Sequence, residues 1–295
     1  MKSIPILVLM VLIFSSIVAQ SDGDHGRLLE AGKPNKVIET PPANELKIVS
    51  YNIRWRSGEE LQKIIRWLKD AAGTRPAIIG LQEVDRAKNR SERVNHPKAL
   101  ADALGMHYAW TAPQTKSGSE EETGVAILSP YPLADVTRIV LPHPGPGGRL
   151  RVAIGATARI GKTSIRIYSV HGETRLPIGK KAEQLKAVLD DVQKFPKEMP
   201  AIVLGDFNTW ESPAVDRARK LFSAAGFTTP FPDDESTFFR KVLVFDMKLK
   251  LDWIWVRGLA PSSYGIDRSL TVSDHFPLWT VVKVSASDPT AARAP

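Results

Sequence analysis

Short apolar runs recur along this chain, each giving way abruptly to polar residues, and helical stripes separate several of them. "LKIVSYNI" (46–53), "AIIGLQ" (77–82) and "AIVLG" (201–205) read as buried strands. Between the first two, Leu61, Ile64, Ile65 and Leu68 fall at i, i+3, i+4 and i+7, one face of a helix. "TGVAIL" (123–128), "DVTRIVL" (135–141), "RVAIGATARI" (151–160) and "TSIRIYSV" (163–170) follow one another, and Gly161-Lys162 makes a hairpin turn between the last two. Helices are expected near 179–194, where Ala182, Leu185, Leu189 and Val192 share a face, and near 213–225. "KLDWIWV" (250–256) and "PLWTVVKV" (277–284) complete the strands. Helices interleaved with strands, with an antiparallel run in the middle, call for two mixed sheets packed face to face with helices outside.

The ends of the chain read differently. One Lys precedes an apolar run from Ile4 to about Val18, and Ala19 leads into polar residues. That is the layout of a secretory signal peptide over 1–19, so export to the periplasm or beyond is expected. Residues 20–44 lack apolar periodicity and contain Pro41-Pro42, which reads as a linker or loose arm. Residues 286–295 read as a frayed tail, leaving 45–285 as one domain. The 295 residues contain no Cys, which excludes disulfides, thiolate nucleophiles and Cys-ligated metals. A formal charge of +8 suits a phosphate-bearing partner such as nucleic acid or a lipid head group. No obligate protein partner is evident, and a monomer is expected.

The polar residues at the strand ends carry the chemistry. Asn52 lies at the end of the first run, Glu83 and His171 follow theirs, and Asp206 and Asn208 follow "AIVLG". Asp252 sits in "KLDWIWV", and Asp274-His275 precede the last strand. Ligand sites in α/β sheets form at such ends. Turn chemistry alone accounts for one Asp or Asn, but not for the recurrence. His96, His107 and His143 stand apart from this pattern and read as surface residues.

The pieces "YNIRW" (51–55), "LQEVD" (81–85), "GVAILS" (124–129), "SVHGET" (169–174), "GDFNTW" (205–210), "LDWIWV" (251–256) and "SDHFPL" (273–278) resemble, in order and spacing, the endonuclease/exonuclease/phosphatase or DNase I-like superfamily. The resemblance covers about residues 46–284. It implies a four-layer α/β sandwich of two stacked mixed sheets and hydrolysis of a phosphoester dependent on Mg²⁺ or Mn²⁺. It implies Glu83 as metal ligand with Asn52 in support, and Asp274 as a further metal or water ligand. Asp206 would orient and deprotonate water, with Asn208 beside it. His275 would act as acid/base or donor to the phosphate, with Asp252 as its partner. His171 resembles a second catalytic histidine, for which Glu122 lines up as the orienting carboxylate. Arg54 and Arg149 stand where phosphate-contacting arginines occur. The chemistry fits: hard oxygen ligands suit a divalent cation that offsets phosphate charge, and His suits proton work near neutral pH.

Departures narrow the substrate. Arg54 stands where abasic-site enzymes carry Asp. Thr209-Trp210 follow the "GDFN" piece where inositol phosphatases carry an aromatic and Arg. A sphingomyelinase would be expected to expose an aromatic hairpin to membranes, and the loop "PHPGPGGRLR" (142–151) has no aromatic. Nucleic acid is therefore the expected substrate. A lipid phosphodiester or small phosphoester is the alternative, and a non-catalytic binding module the least favoured reading.

Overall fold

A computed structural model describes residues 25–73, 75–114, 122–243 and 245–284. The expected signal peptide (1–19) and the tail (286–295) lie outside the described residues.

Two mixed sheets stack face to face. The first contains β1 (Leu29–Gly32), β2 (Glu45–Asn52), β3 (Ala77–Arg86), β4 (His107–Thr111), β5 (Glu122–Ser129), β13 (Ala260–Ile266) and β14 (Leu278–Lys283). Their order across the sheet is β1-β4-β5-β3-β2-β14-β13. The second contains β6 (Leu133–Leu141), β7 (Arg151–Ile160), β8 (Thr163–His171), β9 (Ala201–Asp206) and β12 (Asp252–Arg257), ordered β12-β9-β8-β7-β6. Each sheet holds a single parallel pair, β2 with β3 and β8 with β9, flanked by antiparallel neighbours.

The facing surfaces interdigitate Leu46, Ile48, Ile78 and Ile127 with Ile154, Ile167, Leu204 and Ile254. Helices cover the outer faces, as their stripes require. α2 (Gly58–Ala72) and α3 (His96–Leu104) lay Leu61, Ile64, Leu68 and Leu100 on the first sheet. α4 (Ile178–Val192) and α5 (Ser212–Ala224) lay Leu185, Val188, Val215 and Phe222 on the second. The result is the expected four-layer α/β sandwich.

Two readings change. Within the supposed loose arm 20–44, His25–Leu28 forms a helical turn, α1, and β1 pairs antiparallel with β4. The cause is side-chain anchoring: Leu28 is buried, and the Glu30 carboxylate accepts from Tyr108, Asn95 and Arg86. His96, expected at the surface, is 1 % exposed at the start of α3. Burial lowers its pKa, which keeps the ring neutral.

Between α5 and β12, β10 (Phe238–Val242) and β11 (Phe245–Leu249) form a two-stranded ribbon outside both sheets.

Candidate active site

The strand topology concentrates polar groups at one edge. Asn52 and Asp206 end the parallel strands β2 and β9, and His171 ends β8. β12 and β14 run antiparallel to these, so Asp252 at the start of β12 and His275 just before β14 reach the same edge. Asp206 is the register partner of both His171 and Asp252.

Local backbone features aim the side chains. Glu83 sits at a register shift between Gln82 and Val84 with φ of 55°. This bulge re-aims a carboxylate that regular alternation would point elsewhere. After β9 the chain turns: the Asn208 backbone N–H donates to Asp206 Oδ1 at 3.0 Å, and Asn208 has φ of 54°. Phe207 between them is buried and stacks on Phe222. The Asn208 carboxamide donates to the Gly172 carbonyl at 3.1 Å, and buried Lys181 donates to its backbone carbonyl at 2.9 Å.

The catalytic-type groups converge on one carboxylate oxygen. Asp206 Oδ2 lies 3.6 Å from His171 Nε2, 3.7 Å from His275 Nε2, and accepts from Asn52 Nδ2 at 3.1 Å. Both imidazole separations exceed a direct hydrogen bond, leaving room for a bridging water or substrate oxygen. His275 Nδ1 donates to Asp252 Oδ2 at 2.8 Å, and Thr237 Oγ1 donates to the same oxygen at 2.7 Å. Ser273 Oγ donates to the Asn52 carbonyl at 2.8 Å and accepts from the His275 backbone N–H at 3.2 Å.

The two histidines differ in charge. Burial opposes charge on His275, but the carboxylates of Asp252 and Asp206 prevail and raise its pKa to about 10. Burial pushes the Asp206 carboxyl up, reinforced by Asp252 and Glu83 and opposed by His275 and Asn52. Burial drives His171 well below the usual histidine range, and Arg151, Arg149 and His275 add to this. The Arg151 guanidinium faces His171 Nδ1 at 3.3 Å and pairs with Glu173 at 3.0 Å. With Nδ1 accepting from Arg151, neutral His171 presents Nε2–H to Asp206 and Glu83.

This arrangement was not read from the sequence. Glu122 was expected to orient His171. It is buried at the start of β5 and lines a cavity with His171. Among the described residues no carboxylate pairs with His171 Nδ1; Arg151 occupies that position. Asp274, expected as a metal or water ligand, pairs with Arg54 at 3.2 Å. Arg149 is exposed and lines the same cavity of about 460 Å³, together with Arg151, Lys88, Arg90 and Trp55. Arg151, Glu173, Thr237, Ser273 and Lys181 were missed as supporting residues.

The donor set fits a hard divalent cation. Glu83 Oε2 is buried with no hydrogen-bond partner. A carboxylate oxygen left unpaired in a polar cleft is costly without a cation. Its other oxygen lies 3.4 Å from Asn52 Nδ2. The Asn52 Oδ1 accepts the Arg54 backbone N–H at 3.0 Å, which leaves it one lone pair. Asp206, Asp252 and His275 also form a close buried group, but the direct Asp252–His275 hydrogen bond already uses two of its donor atoms.

The fold has many solved counterparts. An endonuclease/exonuclease/phosphatase family protein from Leptotrichia buccalis C-1013-b superposes with TM-score 0.63 at 19% identity, covering 81% of this chain and 100% of that one. D. rerio TDP2 complexed with single strand DNA product gives 0.62 at 16% identity, covering 82% and 100%. ANGEL2, a 2',3'-cyclic phosphatase in complex with adenosine-2',3'-vanadate, gives 0.61 at 15% identity, covering 87% and 98%. No curated protein sequence matches the chain. Residues 49–275, from β2 through His275, match the Endonuclease/Exonuclease/phosphatase family, and the chain belongs to that family.

Proposed function

We propose that this protein is a divalent-metal-dependent phosphodiesterase in which Asp206 activates water. The observation that carries the reading is the convergence of His171 Nε2, His275 Nε2 and Asn52 Nδ2 on Asp206 Oδ2. Donors on three sides of one base suit a tetrahedral, anionic phosphorus group. The raised Asp206 pKa makes it a better base than a solvated carboxylate. In the step, Asp206 takes a proton from water as the new P–O bond forms. The bond to the leaving oxygen breaks, and that oxygen takes a proton from His275 Nε2, whose positive charge Asp252 stabilises. His171 Nε2–H donates to a non-bridging oxygen. Mg²⁺ or Mn²⁺ would be held by Glu83, supported by Asn52 and Asp274, and would supply neutralisation of phosphate charge.

Two substrate classes have support from different walls of the site. The cationic cavity of Lys88, Arg90, Arg149 and Arg151 with Trp55 favours a polynucleotide, as does the single-strand DNA product held by TDP2. The apolar ribbon β10–β11 favours a lipid phosphodiester, and it supplies the exposed apolar hairpin that loop 142–151 lacks. Export by the N-terminal leader belongs to the same proposal.

The test is hydrolysis of bis(p-nitrophenyl) phosphate and nicking of supercoiled plasmid, each with Mg²⁺, with Mn²⁺ and with chelator. Asp206→Ala should lower the metal-dependent rate by about 10²-fold or more with the protein still folded. Metal-independent turnover, or a variant that keeps more than a few per cent of the rate, would overturn the reading.

A further inference from the structure

The exposed apolar side chains are unevenly distributed. Phe239, Val242, Leu243, Phe245 and Met247 all lie on the one ribbon β10–β11, and Leu243 and Phe245 at its tip are 88% and 73% exposed. Clustered exposed apolar surface marks a binding surface.

Strand alternation and register sort the ribbon into two faces. The pairs Phe238–Leu249, Arg240–Met247 and Val242–Phe245 fall on one face, and Phe239–Lys248 and Lys241–Asp246 on the other. All of the first face but Phe245, that is Phe238, Arg240, Val242, Met247 and Leu249, lines a cavity of about 570 Å³ whose floor holds Asp206 and His275. The base is fixed to the site: Phe238 packs edge-on against His275 with ring centroids 5.0 Å apart, and Phe239 N–H donates to the Asp274 carbonyl at 2.8 Å. Among the described residues, the tip carries no such support.

The tip is also apolar against local preference. Leu243 has φ of 53°, a conformation that Gly or Asn adopts at lower cost. A hairpin turning into water would use those residues. Val242, Leu243 and Phe245 place apolar groups there instead.

We infer that the ribbon docks the protein onto a phospholipid surface, so that the site meets phosphodiesters of lipid head groups. This rests on the phosphodiesterase reading. Chemical layering along the ribbon singles out lipid among possible partners. The apolar tip comes first, then Lys241 opposite Asp246, then Arg240 and Lys248. At about 3.3 Å per residue, the cations begin within about 7 Å of the tip pair, and Phe238 against His275 lies about 13 Å from it. Apolar elements enter the boundary between head groups and acyl chains by about 5–10 Å, which brings the cations and then the site to phosphate level. A two-stranded ribbon offers little area for a protein interface, whereas a bilayer demands apolar reach and charge complementarity rather than matched shape.

The experiment is co-sedimentation of the full chain, in chelator, with vesicles of phosphatidylcholine and phosphatidylglycerol. The comparison is a Leu243→Asp, Phe245→Asp double variant. Neither residue lines the cavity, and far-UV circular dichroism checks the fold. The wild type should sediment, and the variant should lose about tenfold or more in apparent affinity. Bis(p-nitrophenyl) phosphate should be hydrolysed at the wild-type rate by both. A wild type that stays in the supernatant overturns the inference. So does a variant that sediments equally, or one that loses oligonucleotide binding in place of vesicle binding. Docking without hydrolysis of any ester would remove the phosphodiesterase reading alone; hydrolysis without docking would remove this inference alone.

Discussion

His275 is held between two carboxylates, and that placement sets the sign of its response to pH. Its folded pKa is raised above the usual histidine value to about 10 by Asp252 and Asp206, which overcome burial. A raised histidine contributes stability that is fully present below the unfolded value of about 6.5 and is lost as pH climbs through the folded one. The stability gap between wild type and His275→Gln, measured by urea unfolding in chelator, should therefore shrink from pH 6.5 toward pH 10. A gap that is constant or widens would mean that His275 is not charged in the folded protein. At this scale the sequence exposed the residues that stand at strand ends, because an apolar run makes the polar residue after it conspicuous. Asn52, Glu83, His171, Asp206, Asp252 and His275 were all legible in this way, and the fold brings them together. Arg151 was not. It sits in register with Leu141 at the start of β7, and nothing in its neighbours shows that its guanidinium reaches His171 across to β8. His96 was misread because one polar residue opening a helix gives no sign of what covers it.

The elements that carry the site are the parallel pairs, and β8 and β9 approach closely where they end. A Cβ on Gly205 would lie 2.1 Å from the Val170 carbonyl oxygen, and Gly205 has φ of 135°. Neither the contact nor the conformation admits a side chain. Gly205→Ala should destabilise the protein by about 1–3 kcal/mol from backbone conformation alone, with the clash adding to it. It should also displace Asp206, the next residue, so activity should fall further than stability does. An unchanged urea midpoint would mean that the two strands do not meet in this register. Buried strands such as β3 and β9 are continuous apolar runs and could be read directly. The ribbon could not: "FFRKVLVFDMKL" mixes Arg, Lys and Asp into its apolar residues and is hydrogen-bonded into neither sheet. β13, with the sequence "APSSYGI", is an edge strand whose residues are largely exposed, so no apolar pattern announces it.

Over the whole molecule, a surplus of positive charge says less than where that charge is already committed. Six cations border the cleft: Arg54, Lys88, Arg90, Arg149, Arg151 and Arg240. Three are in ion pairs, Arg54 with Asp274, Arg90 with Asp85 and Arg151 with Glu173. Among the described residues, Lys88, Arg149 and Arg240 pair with no carboxylate. A polynucleotide in the cleft releases counterions mainly where it meets uncommitted cations, because a paired arginine must first give up its partner. With a slope of about −0.7 per neutralised phosphate on a single strand, three such contacts give log K against log[salt] a slope of about −2.1. Titration of a fluorescent single-stranded oligonucleotide over a range of salt, in chelator, measures it. A slope of about −3 or steeper would show the paired arginines swinging onto the substrate. A slope near zero would show that the cleft cations do not hold a polynucleotide at all. That result would leave the ribbon, with its apolar face over Asp206 and His275, as the wall that selects the substrate.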